Sequence, residues 1–478
     1  MTSQDLCDLD AVTLRRMIGR KEISPRELVD ACIRRIEAVD PTVNALVSRC
    51  FDRARMEAAE AEAAVMGGGP LGPLHGLPIG IKDLSDTGGV RTTYGSRLYA
   101  DHVPAEDERV VAAVRRAGAI VLGKTNTPEF GTGANTRNAV FGATRNPFDP
   151  ARTCGGSSGG SAVALACGMV PLATGSDHGG SLRTPAAFCG ITGYRPSPGM
   201  VPSERRGIAW SPSSVDGPMG RTVADAALLM SAMAGTDPRD PLPGCADPSA
   251  FLTLPEVDTA SLRVAVSEDL GFAPVDDGIR ATFRAAVARM SGAFGAVAEE
   301  GPDLAGIDTV FEILRSVIFV GSHREKFEKH RDALAPNVVA NMESALKLDI
   351  RDVAWAMSEQ TRYFSRFVAF MEGVDVLICP AVAVPPFPVE QWYPETINGA
   401  PTRNYMHWLA ITYGLTVLSH PIVVVPCGLD ATGTPFGIQI CGRYGADRAV
   451  LGVARAIERL LAGIPGLERP VPGLAKTP

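Results

Sequence analysis

Residues 154–183 read CGGSSGGSAVALACGMVPLATGSDHGGSLR, and how this stretch folds decides how the chain is organised. Two serine-bearing glycine clusters, 155–161 and 179–181, flank a short apolar run that reads as a helix followed by a strand, so both clusters can meet in space. Glycine at this density marks backbone in conformations that other residues avoid, or backbone that comes close to a ligand with its N–H groups free. In the second cluster the serine follows Asp177, His178, Gly179 and Gly180, which places consecutive N–H donors beside one hydroxyl. Acyl transfer needs that arrangement when charge develops on a carbonyl oxygen. A tight turn between two packed elements would account for either cluster alone.

Upstream, residues 77–81 (LPIGI) read as a buried strand that ends in Lys82. A lysine in a dry, glycine-lined site sheds its proton near neutrality, because desolvation disfavours the charged form, and it can then serve as a base. Most lysines at strand ends simply reach solvent.

The combination of Lys82, Ser157 and Ser181 resembles the amidase signature family, whose members hydrolyse carboxamides with a Ser-Ser-Lys triad. The likeness spans most of the chain: residues 76–83 (GLPIGIKD), 123–130 (GKTNTPEF), 155–161, 175–183 and 435–442 match the family's blocks in the family's order, as does the 24-residue step from Ser157 to Ser181. One departure is His178, where Thr or a small apolar residue is expected; its ring would reshape the pocket floor.

The resemblance implies an α/β fold, a large twisted mixed β-sheet covered by helices on both faces. It implies one domain over 1–478, with 1–66 an N-terminal helical layer and about 270–420 the substrate-shaping variable region. It further implies that Ser181 attacks an amide carbonyl, with Ser157 as proton relay and Lys82 as the ultimate base, and that the Gly156–Ser157 peptide is cis. The backbone N–H groups of His178, Gly179, Gly180 and Ser181 would hold the oxyanion, with Ser158, Asp177 and Arg183 as supports. No metal or cofactor is implied. The glutaminase-type subunit of a tRNA-dependent amidotransferase belongs to the same family and keeps the triad, so it stands as the alternative reading.

Composition sets wider bounds. The chain has 478 residues, 45% of them hydrophobic, enough to bury a large core; length alone suggests about three domains, a prior that large α/β enzymes defeat. A net charge of -7 without a basic run argues against a nucleic-acid partner. The ten cysteines are scattered, with no CxxC pair and no clustered histidines, which suggests neither zinc nor a disulfide framework. The first ten residues are acidic and lack an apolar h-region, and no run of 18 apolar residues occurs. The expectation is a cytoplasmic protein acting on a small-molecule amide, without membrane contact; a homodimer, common among family members, stays open.

Along the chain, Ser24-Pro25-Arg26-Glu27 forms a capping box with proline at the first helical position, and Asp40-Pro41 is expected to stop that helix. Helical patterns follow over 52–66, 106–117, 278–294, 309–330, 344–371 and 447–461, and strand patterns over 119–122, 262–266, 374–378, 422–425 and 436–440. The Pro- and Asp-rich segment 235–259 reads as a surface excursion. Between 380 and 413, Phe387, Trp392, Tyr393, Tyr405 and Trp408 are either packing residues or the lining of an acyl or leaving-group pocket.

Three motifs are decoys. Residues 118–125 (GAIVLGKT) satisfy the P-loop expression, but their middle is itself a strand and Pro128 follows where a helix should open, so Lys124 is assigned no chemistry. Residues 155–159 fit the G-x-S-x-G elbow of an α/β-hydrolase-type esterase, yet the preceding segment, with Pro147 and Pro150, is loop-like, and His323, His330, His407 and His420 lie outside any glycine-rich strand end. Ser344-Ala345-Leu346-Lys347 matches S-x-x-K without a K-T-G partner and reads as an exposed helix face.

Overall fold

The apolar run between the glycine clusters forms the helix Gly159–Ala166 and the strand Leu172–Asp177. Every residue of that helix is buried, and the strand runs into the middle of the main sheet. The computed structural model describes residues 3–245 and 247–476, so the first two residues of the acidic N-terminal stretch lie outside it.

Eleven strands form the sheet, in the spatial order Leu46–Arg49, Ile120–Thr125, Pro78–Lys82, Leu172–Asp177, Val215–Gly220, Thr192–Arg195, Ile422–Leu429, Pro435–Cys441, Val376–Pro380, Arg263–Val266, Ala296–Glu299. It is mixed: the Lys82 strand is parallel to both its neighbours, Ile120–Thr125 and Leu172–Asp177, and the run from Leu172–Asp177 to Val376–Pro380 is antiparallel. Parallel strands are covered on both faces, which is why Pro78–Lys82 and Ile120–Thr125 are buried at every position.

Register separates the two lysines. Ile81 pairs with Lys124 and Lys82 with Thr125, and because side chains alternate along a strand, Lys82 and Lys124 point to opposite faces. The strand predicted at 119–122 therefore continues to Thr125 and carries Lys124 inside the sheet, an arrangement no phosphate-binding loop has.

Several details differ from the sequence reading. The helix beginning at Pro25 does not stop at Pro41 but runs to Val43, where Asn44 takes a left-handed conformation and its N–H reaches the Asp40 carbonyl. The Asp40 carboxylate, buried, then receives the N–H groups of Ala45 and Leu46, tying the helix end to the edge strand Leu46–Arg49 within the first 66 residues. The long pattern over 344–371 is two helices, Pro336–Ala345 and Ile350–Gly373; Asp349 caps the second in a reciprocal box with Asp352. Within 235–259, Phe251 and Leu254 turn into the core, so the excursion is anchored rather than wholly superficial.

The Gly159–Ala166 helix lies against backbone. A Cβ on Gly160 would come within 2.2 Å of the Asn126 nitrogen and 2.7 Å of the Ala45 carbonyl oxygen, neither of which can swing away. Gly160→Ala gains up to ~1 kcal/mol in helix propensity but forces the helix off its seat, an overpacking cost of about 1–3 kcal/mol or more. The expected outcome is a net loss of stability, read as a lower urea midpoint at unchanged slope; a stabilised variant would contradict the close approach.

Candidate active site

Topology brings the three serine, lysine and glycine elements together. Lys82 and Asp177 end two adjacent parallel strands, so both lie at one edge of the sheet, where ligands of open α/β sheets bind. The helix that precedes the Asp177 strand runs back across the sheet and opens at the same edge with Ser157 and Ser158. The two glycine clusters accordingly touch: the Ser158 N–H donates to the Ser181 carbonyl at 3.2 Å, and the Gly156–Ser157 peptide is cis.

Lys82 is 1% exposed, and its Nζ lies 2.8 Å from Ser157 Oγ, 2.8 Å from Ser158 Oγ and 2.9 Å from Ser176 Oγ. Burial pushes its pKa down to about 7, with Asp216 and Asp177 opposing the fall. All three contacts are hydroxyls, which satisfy either protonation state: the ammonium donates to three oxygens, whereas the neutral amine donates to two and accepts from the third. Ser158 is already engaged, donating to the Ser176 carbonyl and accepting from the Ser176 N–H, which leaves the hydroxyls of Ser157 and Ser176 free to give a proton to nitrogen.

The turn that follows is built on a buried ion cluster. Asp177 and both its partners, Arg183 and Arg195, have fully buried side chains. Arg183 donates to both carboxylate oxygens at 3.0 Å, and Arg195 donates to Asp177 Oδ1 at 3.2 Å and to its carbonyl at 2.7 Å. Burial works against the ionised carboxylate, but Arg183 and Arg195 hold it well below the usual carboxylate range. The same carboxylate accepts the N–H groups of Gly180 and Leu182, which curls residues 177–182 around it. Gly180 sits at φ 121°, and a Cβ there would lie 2.4 Å from Thr412 Oγ1, so only glycine fits.

Of the four N–H groups expected to face an oxyanion, that of Gly180 is therefore taken by Asp177. Among the described residues, those of His178, Gly179 and Ser181 have no hydrogen-bond acceptor, and neither has the Ser181 hydroxyl a partner. Ser157 and Ser181 are not hydrogen-bonded to each other, but both line a cavity of about 470 Å³ that also exposes His178, Asp216, Glu108 and Tyr94. His178 shares a 2.8 Å hydrogen bond with Ser214 Oγ through Nδ1; burial, then Arg315 and Arg195, push its pKa down to about 3 and keep the ring neutral.

Several participants escaped the sequence reading. Ser176 stands inside one of the family blocks yet gave no sign of reaching Lys82; Arg195, the second cation on Asp177, lies outside all of them. Asp216 is Ser176's cross-strand partner, which sets its side chain on the same face, and it has no hydrogen bond or ion pair among the described residues. Burial pushes its pKa up to about 6, against the pull of Lys82 and Arg206. Only an antiparallel strand pairing could have found it.

The decoys fall elsewhere. Lys124 Nζ donates to Thr87 Oγ1 at 2.7 Å and to the Ser85 carbonyl, on the face away from Lys82. Ser344 and Lys347 are exposed around a helix end. No histidine among the described residues hydrogen-bonds to Ser157, Ser158 or Ser181, as an esterase triad requires. Of the aromatics, Trp408 packs between Phe188 and Phe387, Trp392 lies exposed beside Arg137, and Tyr405 borders a second cavity. Among the described residues no helix is long and apolar enough to cross a membrane, and no group of three His, Cys, Asp or Glu could hold a metal.

Comparison with known proteins shows likeness over most of the chain. The protein-family model described as Amidase matches residues 27–451. The chain is 36% identical to an acylamidase of Rhodococcus erythropolis over 96% of each chain. It is 34% identical to a glutamyl-tRNA(Gln) amidotransferase subunit of Anaeromyxobacter dehalogenans (strain 2CP-C), over 98% of this chain and 99% of that one. A bacterial aryl acylamidase of the amidase signature enzymes superposes with a TM-score of 0.87 at 30% identity, covering 95% of this chain and 96% of its own.

The ion cluster makes a prediction independent of chemistry. Asp177→Asn keeps the shape but leaves two fully buried guanidinium groups facing a neutral side chain, and unfolding free energy should fall by about 3–5 kcal/mol. Because the native pKa is depressed, the wild-type contribution is present above the ordinary carboxylate value, about 4, and is lost as pH falls through the native one. The difference in stability between wild type and Asp177→Asn, followed by denaturant titration, should therefore hold from pH 7 to about 4 and shrink below; a constant or negligible difference would remove the cluster from its structural role.

Proposed function

The chain belongs to the amidase signature family of amidohydrolases, and we propose that it cleaves the C–N bond of a small-molecule carboxamide through an acyl-enzyme on Ser181, releasing a carboxylic acid and ammonia or an amine. The observation that carries this reading is the buried Lys82, near its neutral form at physiological pH and hydrogen-bonded to hydroxyls alone. The 470 Å³ cavity is of the size of small-molecule sites.

In the proposed reaction Ser181 Oγ attacks the carbonyl carbon while its proton passes to Ser157 Oγ, and the Ser157 proton passes to Lys82 Nζ. The N–H groups of His178, Gly179 and Ser181 receive the developing oxyanion, with Gly180 held by Asp177 as the frame rather than a donor. Lys82 then returns the proton through Ser157 to the departing nitrogen, and the C–N bond breaks. Water, deprotonated along the same path, releases the acid and restores the hydroxyl. The helices between 270 and 420 shape the substrate cavity in this reading: Ile307–His330 contributes Lys326 to the wall of the main cavity.

The amidotransferase relative, 34% identical over nearly the whole chain, keeps a second reading in play, a glutaminase that works within an assembly. Purified chain alone should release ammonia from simple carboxamides; a requirement for a partner and ATP would favour the amidotransferase reading.

Ser181 should be labelled by a fluorophosphonate probe, with labelling and turnover both lost in Ser181→Ala; labelling of Ser157 or Ser158 instead would point to a different nucleophile. Because the neutral amine is the reactive form, kcat/KM should fall on acidification below about pH 7, where Lys82 takes up its proton, and the limb should vanish in Lys82→Ala. An amide's nitrogen needs a proton to leave and an ester's oxygen needs it much less. Lys82→Ala should therefore lower the amide-to-ester ratio of kcat/KM by ~10²- to 10⁴-fold where acylation limits both. Equal losses would confine Lys82 to activating Ser181.

A further inference from the structure

The proton path fixes which half of a substrate lies where. The leaving nitrogen must approach Ser157, so the amine half occupies the 470 Å³ cavity that Ser157 and Ser181 share. Behind Ser181 lies a recess of about 40 Å³, lined by His178, Gly179, Gly180, Ser181, Arg315 and Met406 among others, which Ser157 does not border. The acyl half therefore points into this recess. Past Arg315 and Met406 a further cavity of about 230 Å³ opens between the helices Ile307–His330 and Pro336–Ala345.

Arg315 stands at that boundary as a held cation with no counter-charge. Its guanidinium donates to Asn341 Oδ1 and to the Tyr405 hydroxyl, and its carbon lies 5.0 Å from the Phe319 ring centre and 5.7 Å from that of Tyr405. These partners are neutral, and no carboxylate among the described residues lies within ion-pair distance of it. The acids one and two turns earlier on its helix, Glu312 and Asp308, face Arg403 instead. An arginine cannot shed its charge, and two of its five N–H donors are engaged, which leaves three.

We propose that Arg315 is a carboxylate-reading subsite for the acyl half, so that the preferred substrates are half-amides of short dicarboxylic acids, with the amide carbonyl at Ser181 and the free carboxylate on the guanidinium. This rests on the amidase reading above. The recess, about 40 Å³ against the ~10–15 Å³ of such cavity volume that one water needs, has room for only a few heavy atoms, which limits the spacer between the two carbonyl carbons to a short one.

Succinamate and butanamide, which differ by carboxylate against methyl, make the test. Wild-type kcat/KM should favour succinamate by at least about 10-fold, and Arg315→Gln should lower that ratio by about 10- to 100-fold, the range of a charge-assisted hydrogen bond. Arg315→Lys, a point charge without the fork, should keep part of it. Calorimetric binding of succinate against butyrate supplies a readout that needs no turnover, and succinate binding should weaken in Arg315→Gln by a similar factor. Equal wild-type kcat/KM for the two amides, or a loss in Arg315→Gln that falls equally on both, would overturn the subsite, leaving Arg315 a brace between Asn341 and Tyr405. Arg315-dependent succinate binding without hydrolysis of either amide would uphold the subsite and overturn the amidase reading, whereas hydrolysis of both with no Arg315-dependent succinate binding would do the reverse.

Discussion

One buried carboxylate carries two guanidinium groups, and the geometry of the site depends on it. Asp177 binds Arg183 and Arg195 with its side chain and takes the Gly180 and Leu182 N–H groups as well, so the chain from 177 to 183 has one conformation available. Arg183 extends the constraint outward to the Thr412 carbonyl, Thr416 and Gln439, which fastens the turn to a helix and a strand far along the chain. A charge cluster this dry is weak as a source of stability compared with apolar packing, but breaking one member is costly. It serves here as a fixture: it orients backbone donors around an open space and consumes no donor that an oxyanion would need except that of Gly180.

The cluster also governs the electrostatics around Lys82. Burial first, then Arg315 and the cluster's Arg195, keep His178 neutral against the opposing pull of Asp177. Asp216, from across the Ser176 pairing, and then Asp177 are the carboxylates that favour the charged form of Lys82. Burial outweighs the two carboxylates and brings the lysine down to about 7. A base needs a pKa near the working pH, and here it comes from a large desolvation effect that is opposed only by carboxylates out of contact with the amine, whose own hydrogen bonds go to hydroxyls.

Strand alternation makes the choice between two buried lysines. Lys82 and Lys124 lie on neighbouring parallel strands, both without exposure to speak of, and both have pKa values lowered by burial, to about 7 and about 8. Only one faces the serines. The other faces the Ser85 carbonyl and Thr87, where a hydrogen-bonded lysine closes a loop and reaches no cavity shared with Ser181.

Much of this was legible in the sequence because it is local. Strand and helix periods, the capping box at Ser24 and the paired glycine clusters each depend on residues within a few positions of one another, and they placed Lys82, Ser157 and Ser181 on the right elements. The end of the first long helix was misread at Pro41 because a carboxylate, Asp40, and the left-handed Asn44 close it one turn later. The break at Asp349 was hidden because apolar spacing continues across it. What the tertiary structure alone decided are the partners: Ser176 at Lys82, 94 residues away; Gln439 at Arg183, 256 away; Asp216 beside Ser176; and Arg315 bordering the recess behind Ser181. Hydrogen bonds and charges act through space over a few ångströms, so a residue's pKa and its free donors are fixed by whichever strand or helix packs beside it, and one strand's own sequence holds no record of its neighbour.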